Sequence, residues 1–419
     1  MKEVAVLLQN VSRRGGVNVS IYLLILSVLF VISPLIIIRQ SIFQPQSLSL
    51  IAPLGLSFYI LQIISYLVDI YKGKIHAQKN LVKYALFVSF FPQIVQGPIP
   101  RYEQLSGQLY EGHRFDERGF TKGLQMIVWG FFLKMMIADK AGIVVDTVFN
   151  DWQIYQGGYV LVAGILYSLQ LYTDFMACVC LAQGCAELFG IHLSDNFCHP
   201  YFAESVKDFW GRWHISLSTW LRDYIYIPLG GSRKGKIRKY INLVITFLVS
   251  GYWHGAKNKY IFWGLMHAGY EIGGDMTAGI LNRVYKWLHL SDSWVEKYLR
   301  RCGTFICVML AWIIFRAQNL RTGLFMLYNM FTVHNPWIFW DDSLFRLGLS
   351  WKEWAVLAGA VLILIKVSMM QETFCIRDRI LTWPLLARWT LYLGAIVVVM
   401  IFGTYGWGFD ANDFIYGGF

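Results

Sequence analysis

The sequence predicts an all-α, multi-pass membrane protein. Three observations carry that expectation. Of 419 residues, 56% are hydrophobic and only 15% are charged, whereas soluble domains carry roughly 25% charged residues. Apolar runs near or above the roughly 20 residues that cross a bilayer recur along the whole chain. The basic residues behind a formal charge of +11 fall in short loops between those runs. They therefore speak for membrane topology and not for nucleic acid. No internal repeat or soluble linker breaks the pattern, so 1–419 reads as a single integral-membrane domain.

Spans are expected near 20–38, 49–70, 123–138, 158–176, 241–256, 260–281, 302–318, 353–370 and 389–406. Shorter or tilted elements bring the total to about nine to eleven. The start, MKEVAVLLQNVSRRGG, shows no small-residue cleavage site after a short apolar core, so no removable signal peptide is expected. The run LFVSFFPQIVQGPIP, Leu86 to Pro100, carries three prolines and a glycine. It should be re-entrant or broken, sheltered by protein or by a wet cavity. Lysines and arginines cluster at 72–83, 207–239 and 283–301. All three clusters share a side if 86–100 does not cross, and that side should be cytoplasmic. Segments 139–157 and 331–345 then fall outside, with the N-terminus inside and the tail 407–419 outside. The seven cysteines include no CxxC pair, so reduced, packed thiols are expected, without a zinc site or disulfides.

The segment 207–240 is more than a loop. Trp210, Trp213, Leu217, Trp220, Leu221 and Tyr224 recur at helical spacing on one stripe, with Asp208, Arg212, Arg222 and Asp223 opposite. This pattern predicts an interfacial amphipathic helix on the cytoplasmic side, ending at Pro228 and the Gly230-Gly231 turn. His214 lies at the edge of the stripe. It is either an interfacial imidazole bonded to a carbonyl or a proton-transfer or positioning group.

Two further histidines lie at membrane depth. His254 stands near the end of one apolar run and His267 inside the next. Ionisable side chains there are expensive and usually line sites or cavities. Gly251 and Gly255 leave room beside Trp253-His254 for a ligand or for a neighbouring helix. Asp174 could orient a histidine or pair with a cation, and Lys134 could snorkel to an interface. There is no Gly-rich phosphate loop, no GxSxG and no HExxH.

WHISLSTWLRDYIYIPLGGSRKG and SGYWHGAKNKYIFWGLMHA resemble the membrane-bound O-acyltransferase (MBOAT) superfamily. The resemblance is to its bacterial cell-envelope branch of polysaccharide O-acetyltransferases and teichoic-acid D-alanyl transferases. FFPQIVQGPIPRYEQL, LSFYILQIISYLVDIYKG, ELFGIHLSDNF, IIFRAQNL and the terminal FIYGGF extend it from about Leu54 to Phe419. Two departures stand out: Gly211-Arg212 keeps one basic residue where the family often has two, and DFMACVCLA lacks the second Asp of a DFSGYSDMA-like pattern.

The resemblance implies a helical funnel, reached by an acyl thioester from the cytoplasm and by an acceptor from outside. His254 matches the principal catalytic histidine and His214 the second, while His267 matches a position of less defined role. On this reading His254 takes the proton from a hydroxyl that attacks a thioester, most simply acetyl-CoA. Trp210, Trp253, His267 and Asp174 belong to the substrate region, and Arg233 and Lys234 attract the polyanionic donor. No metal and no bound cofactor are required. The acceptor would be an extracytoplasmic cell-envelope polysaccharide, reached with an SGNH or esterase-like partner protein. FIYGGF fits an F-x-Y-x-x-F carrier motif, which makes Tyr416 a candidate acyl relay; an aromatic anchor is the alternative. Localisation would be the bacterial cytoplasmic membrane. D-alanyl transfer is the alternative chemistry, and a transporter or flippase the alternative class.

Overall fold

The computed structural model describes residues 1–13, 17–39, 55–94 and 96–405. They are helical throughout, with no strand among them. In order, the helices are α1 (Lys2–Arg13), α2 (Val17–Arg39), α3 (Leu56–Tyr71), α4 (Leu81–Ser89), α5 (Phe91–Ile94), α6 (Tyr102–Tyr110), α7 (Glu117–Phe131), α8 (Asp139–Asn150), α9 (Gly158–Leu188), α10 (Val206–Arg212), α11 (Ile215–Leu221), α12 (Lys236–His254), α13 (Asn258–Trp287), α14 (Trp294–Arg316), α15 (Leu320–Thr332), α16 (Trp351–Gln371), α17 (Ile376–Leu381) and α18 (Leu385–Phe402). Among the described residues, five helices are long and apolar enough to span a bilayer: Asn18–Ile38 within α2, then α9, α14, α16 and α18. The other expected spans coincide with α3, α7, α12 and α13, which carry more polar residues or are shorter.

The Pro-rich stretch is broken as its composition requires. α4 stops at Ser89, α5 lasts one turn, and irregular backbone follows. Segment 139–157 differs from its reading as an outer loop, because its first part continues the preceding span. α7 runs through a π-helical stretch, Phe132–Ala138, straight into α8, so the chain is helical from Glu117 to Asn150. The reason is electrostatic. In π register, with i→i+5 bonding, Lys134 lies over Asp139, and its Nζ is 2.8 Å from both Asp139 Oδ1 and Asp174 Oδ1 of α9. Lys134 is therefore a buried ion-triad centre and does not snorkel. The π stretch also leaves the Met135 carbonyl to accept the Thr404 N–H at 3.0 Å, where α18 ends.

Hydrogen bonds define the two ends of the bundle. At one end Lys122 pairs with Asp378 at 2.6 Å. At the other, Thr147 Oγ1 donates to the Leu347 carbonyl at 3.3 Å, and Asn335 Oδ1 accepts from the Gly158 N–H at 2.8 Å. The loops 151–157 and 333–349 thus share an end. α12 and α13 form an antiparallel hairpin pressed together at glycines. A Cβ on Gly251 would strike the Tyr260 carbonyl, and one on Gly264 the Phe247 carbonyl. The seven cysteines are unpaired; Cys198 and Cys375 are exposed, unlike the packed thiols expected.

Candidate functional site

The expected continuous helix over the aromatic stripe is interrupted at Trp213-His214. α10 ends at Arg212, His214 takes a left-handed backbone (φ 44°), and α11 starts at Ile215. The segment before α10 causes the break. The Cys198 N–H donates to the Arg212 carbonyl and the Ile215 N–H to the Asn196 carbonyl, each at 2.9 Å. Asn196 Oδ1 accepts from the Ser216 N–H at 3.0 Å and from its hydroxyl at 2.8 Å. A left-handed non-glycine residue costs on the order of 1–3 kcal/mol and persists only where its surroundings hold it. The break also divides the stripe. Trp213 packs on Phe209 and Trp312, whereas Trp220 donates its indole N–H to the Leu61 carbonyl of α3 at 2.9 Å. His214 is consequently not at an interface: it is 1% exposed, with Phe58, Phe175 and Trp253 around it.

His254 is the last residue of α12 and is 4% exposed. Its ring meets Trp253, Trp263 and Phe315 edge to face, with centroids 4.9, 5.1 and 5.3 Å away. Lys259 fixes that last neighbour. Its Nζ donates to the Phe315 and Ala317 carbonyls at 2.9 and 2.7 Å, so a buried ammonium sits at the negative end of α14. His267, one turn after Trp263, is fully buried, and its Nδ1 accepts the Trp210 indole N–H at 3.2 Å. A neutral His267 therefore carries its proton on Nε2.

These rings form one alternating series. Trp253 stands between His214 (6.0 Å) and His254 (4.9 Å), and Trp263 between His254 (5.1 Å) and His267 (4.9 Å); Trp210 closes the series at 5.1 Å. The interplanar angles run from 65° to 85°. Five expected site residues are thus brought together: Trp210 from α10, His214 from the turn that follows it, Trp253 and His254 from α12 and His267 from α13.

The remaining expected residues lie apart. Asp174 belongs to the Lys134 ion triad. Arg233 and Lys234 are exposed in the turn before α12, pinned where Asn242 Nδ2 donates to the Gly231 carbonyl at 2.9 Å. Tyr416 lies outside the described residues. Sequence reasoning missed Asn196, Lys259 and Trp263. Trp263 was findable, since its spacing from His267 puts both on one helix face. Among the described residues no three His, Cys, Asp or Glu side chains gather as a metal-binding group.

Comparison with known proteins places these residues in context. The model of the membrane-bound O-acyltransferase family matches residues 77–285. A probable alginate O-acetylase AlgI of Pseudomonas syringae pv. tomato is 39% identical over 281 residues, covering 67% of this chain and 52% of that protein. A peptidoglycan O-acetyltransferase of Helicobacter pylori is 35% identical over 314 residues, 68% of this chain and 58% of the relative. A teichoic acid D-alanyltransferase of Bacillus subtilis is 30% identical over 262 residues, 59% of this chain and 64% of the relative. The chain spans about half the length of the alginate O-acetylases it matches. With the family match running across all three histidines of the ring series, and with the helical membrane fold around them, this chain belongs to the membrane-bound O-acyltransferase family.

Proposed function

We propose that this chain is an O-acyltransferase that moves an acyl group, most simply acetyl, from a cytoplasmic thioester to an extracytoplasmic cell-envelope polysaccharide. The observation that carries the reading is the ring series, which puts His254 between two indoles and one indole away from His214. An acceptor hydroxyl attacks the thioester carbonyl carbon as the His254 imidazole takes its proton. The tetrahedral intermediate expels the CoA thiolate, which leaves readily and is then protonated. His214, His267 and Trp210 position the donor. The His267 Nε2–H is an available hydrogen-bond donor for an oxygen of the substrate. Arg233 and Lys234, exposed at the start of α12, attract the anionic CoA. Acetyl is preferred over D-alanyl because similarity is greater to the two O-acetyl-transferring relatives than to the D-alanyltransferase.

The same reading puts the basic end at the cytoplasmic face of a bacterial inner membrane, with the N-terminus inside and the C-terminus outside. An extracytoplasmic esterase-like protein completes delivery to the polymer. Tyr416 takes the acyl group as an aryl ester and passes it on: its phenol, with an ordinary pKa of about 10, needs a base before it can attack. The test uses purified protein together with the esterase-like partner, acetyl-CoA and alginate or peptidoglycan fragments. Free CoA thiol and O-acetyl ester should both form, and His254→Ala should lose roughly 100- to 10,000-fold in rate. A well-folded His254→Ala protein with near-wild-type turnover would remove His254 from the chemistry.

A further inference from the structure

We infer that Asn196 is a positioning residue that fixes His214 as the Nδ1–H tautomer, leaving Nε2 as a bare acceptor inside the site. Asn196 Oδ1 accepts from the backbone N–H of Ser216 at 3.0 Å, which can only donate, so the oxygen and not the NH2 group faces α11. The Ser216 hydroxyl adds a second bond to the same oxygen at 2.8 Å. His214 Nδ1 lies 3.3 Å from that oxygen. An amide oxygen only accepts, so the contact is favourable when Nδ1 carries the proton. In the neutral ring Nε2 then holds a lone pair.

That Nε2 is buried and has no hydrogen-bond partner. A buried polar atom left unpaired costs about 1–3 kcal/mol, and such an orphan in a native structure calls for a missing partner. Phe58, Phe175 and Trp253 face the ring from α3, α9 and α12, and none of the three titrates. A substrate O–H, S–H or amide N–H is a chemical match for that bare acceptor. His267 is the mirror case: its Nδ1 accepts and its Nε2 donates. The two outer histidines of the series present opposite hydrogen-bonding character, His214 as acceptor and His267 as donor. Asn196 acts on His214 through both its carbonyls, because the main-chain one accepts the Ile215 N–H at 2.9 Å and holds the left-handed turn.

The tautomer does not depend on the acyltransferase reading; its effect on turnover does. The test therefore has a spectroscopic arm and a kinetic arm. In 15N-histidine-labelled full-length protein, the His214 signal is assigned by its loss in His214→Gln. Wild type should show a protonated Nδ1 and a bare Nε2. Asn196→Ala should lose that preference and lower thiol release from acetyl-CoA roughly 10- to 100-fold. Asn196→Asp keeps the acceptor oxygen, so it should keep the tautomer. It should also move the acid limb of the rate–pH profile to higher pH, because a carboxylate favours the imidazolium. A wild-type His214 protonated on Nε2 would overturn the inference. So would an Asn196→Asp protein whose tautomer and profile match wild type while Asn196→Ala leaves the tautomer unchanged. A wild type that releases no thiol would refute acetyl-CoA turnover, and the spectrum would still decide the tautomer.

Discussion

At the residue scale, the site is made of imidazoles that apolar neighbours desolvate, with Asn196 beside His214 and the Trp210 indole on His267 as polar partners. Trp253 shows how tightly this is built: its indole N–H donates to the Ser57 carbonyl at 3.3 Å, and its faces and edges meet both His214 and His254. Lys134 tests the same logic away from the chemistry. Lys134→Met leaves Asp139 and Asp174 buried without their cation, which should cost about 3–5 kcal/mol. A thermal melt in detergent should show this as a large drop in midpoint, while Lys134→Met combined with Asp139→Asn and Asp174→Asn should recover much of it. The three histidines were legible in the sequence, because all three lie in long, specific motifs and because His254 and His267 stand at membrane depth, where ionisable groups are rare; His214 was expected at an interface. Asn196 was not, because its role depends on a contact across the chain to Ser216 and on a kink that no periodicity announces. Lys134 was misread for a related reason. Its partners sit five and forty residues away, and only the π register and the α9 packing bring them together.

At the element scale, the decisive features are interruptions of helices. The stripe Trp210–Tyr224 has the spacing of one amphipathic helix, yet Asn196 and Cys198 draw backbone bonds from 212–216 and split it. Propensity favoured continuity, and tertiary hydrogen bonding overrode it. The gain is that His214 is turned inward, between α3, α9 and α12. The α12–α13 hairpin serves His254 in the same way, since close approach at Gly251 and Gly264 brings the end of α12 onto α13. Gly264→Leu should force the two backbones apart and destabilise by about 1–3 kcal/mol. It should also depress turnover by displacing His254 from Trp263. A Gly264→Leu protein with unchanged melting and unchanged rate would show that this contact does not position the site. The alternation of apolar and basic runs foretold which segments are helices. It could not foretell that α7 and α8 fuse through a π stretch, because that depends on the Lys134 triad.

At the scale of the whole molecule, the histidine series lies between two chemically different ends. Lys72, 5.4 Å above the Tyr224 ring, and the Tyr224 hydroxyl, which donates to Asp69 Oδ2 at 2.6 Å, bring the first basic cluster toward the second. Lys239 pairs with Asp275 of α13 at 2.8 Å. The opposite end carries the aromatic loop around Trp337 and Trp340, both exposed. On the proposed topology, a cysteine at Ser232 should label only from the cytoplasmic side of intact cells, and labelling from outside would invert the assignment. Tyr416→Phe should abolish polymer acylation and the thiol release coupled to it, since it removes the one accepting oxygen and keeps the ring; full polymer acylation would reduce the tail to an anchor. The most direct measurement uses the protein in sealed vesicles. Isotope-labelled acetyl-CoA is supplied only on the Ser232 face, and acceptor saccharide with the esterase-like partner only on the other. Mass spectrometry should find labelled acetyl ester in the acceptor compartment with wild type and not with His254→Ala. Ester formed equally by His254→Ala, or no ester across the membrane despite thiol release, would contradict transfer through this site.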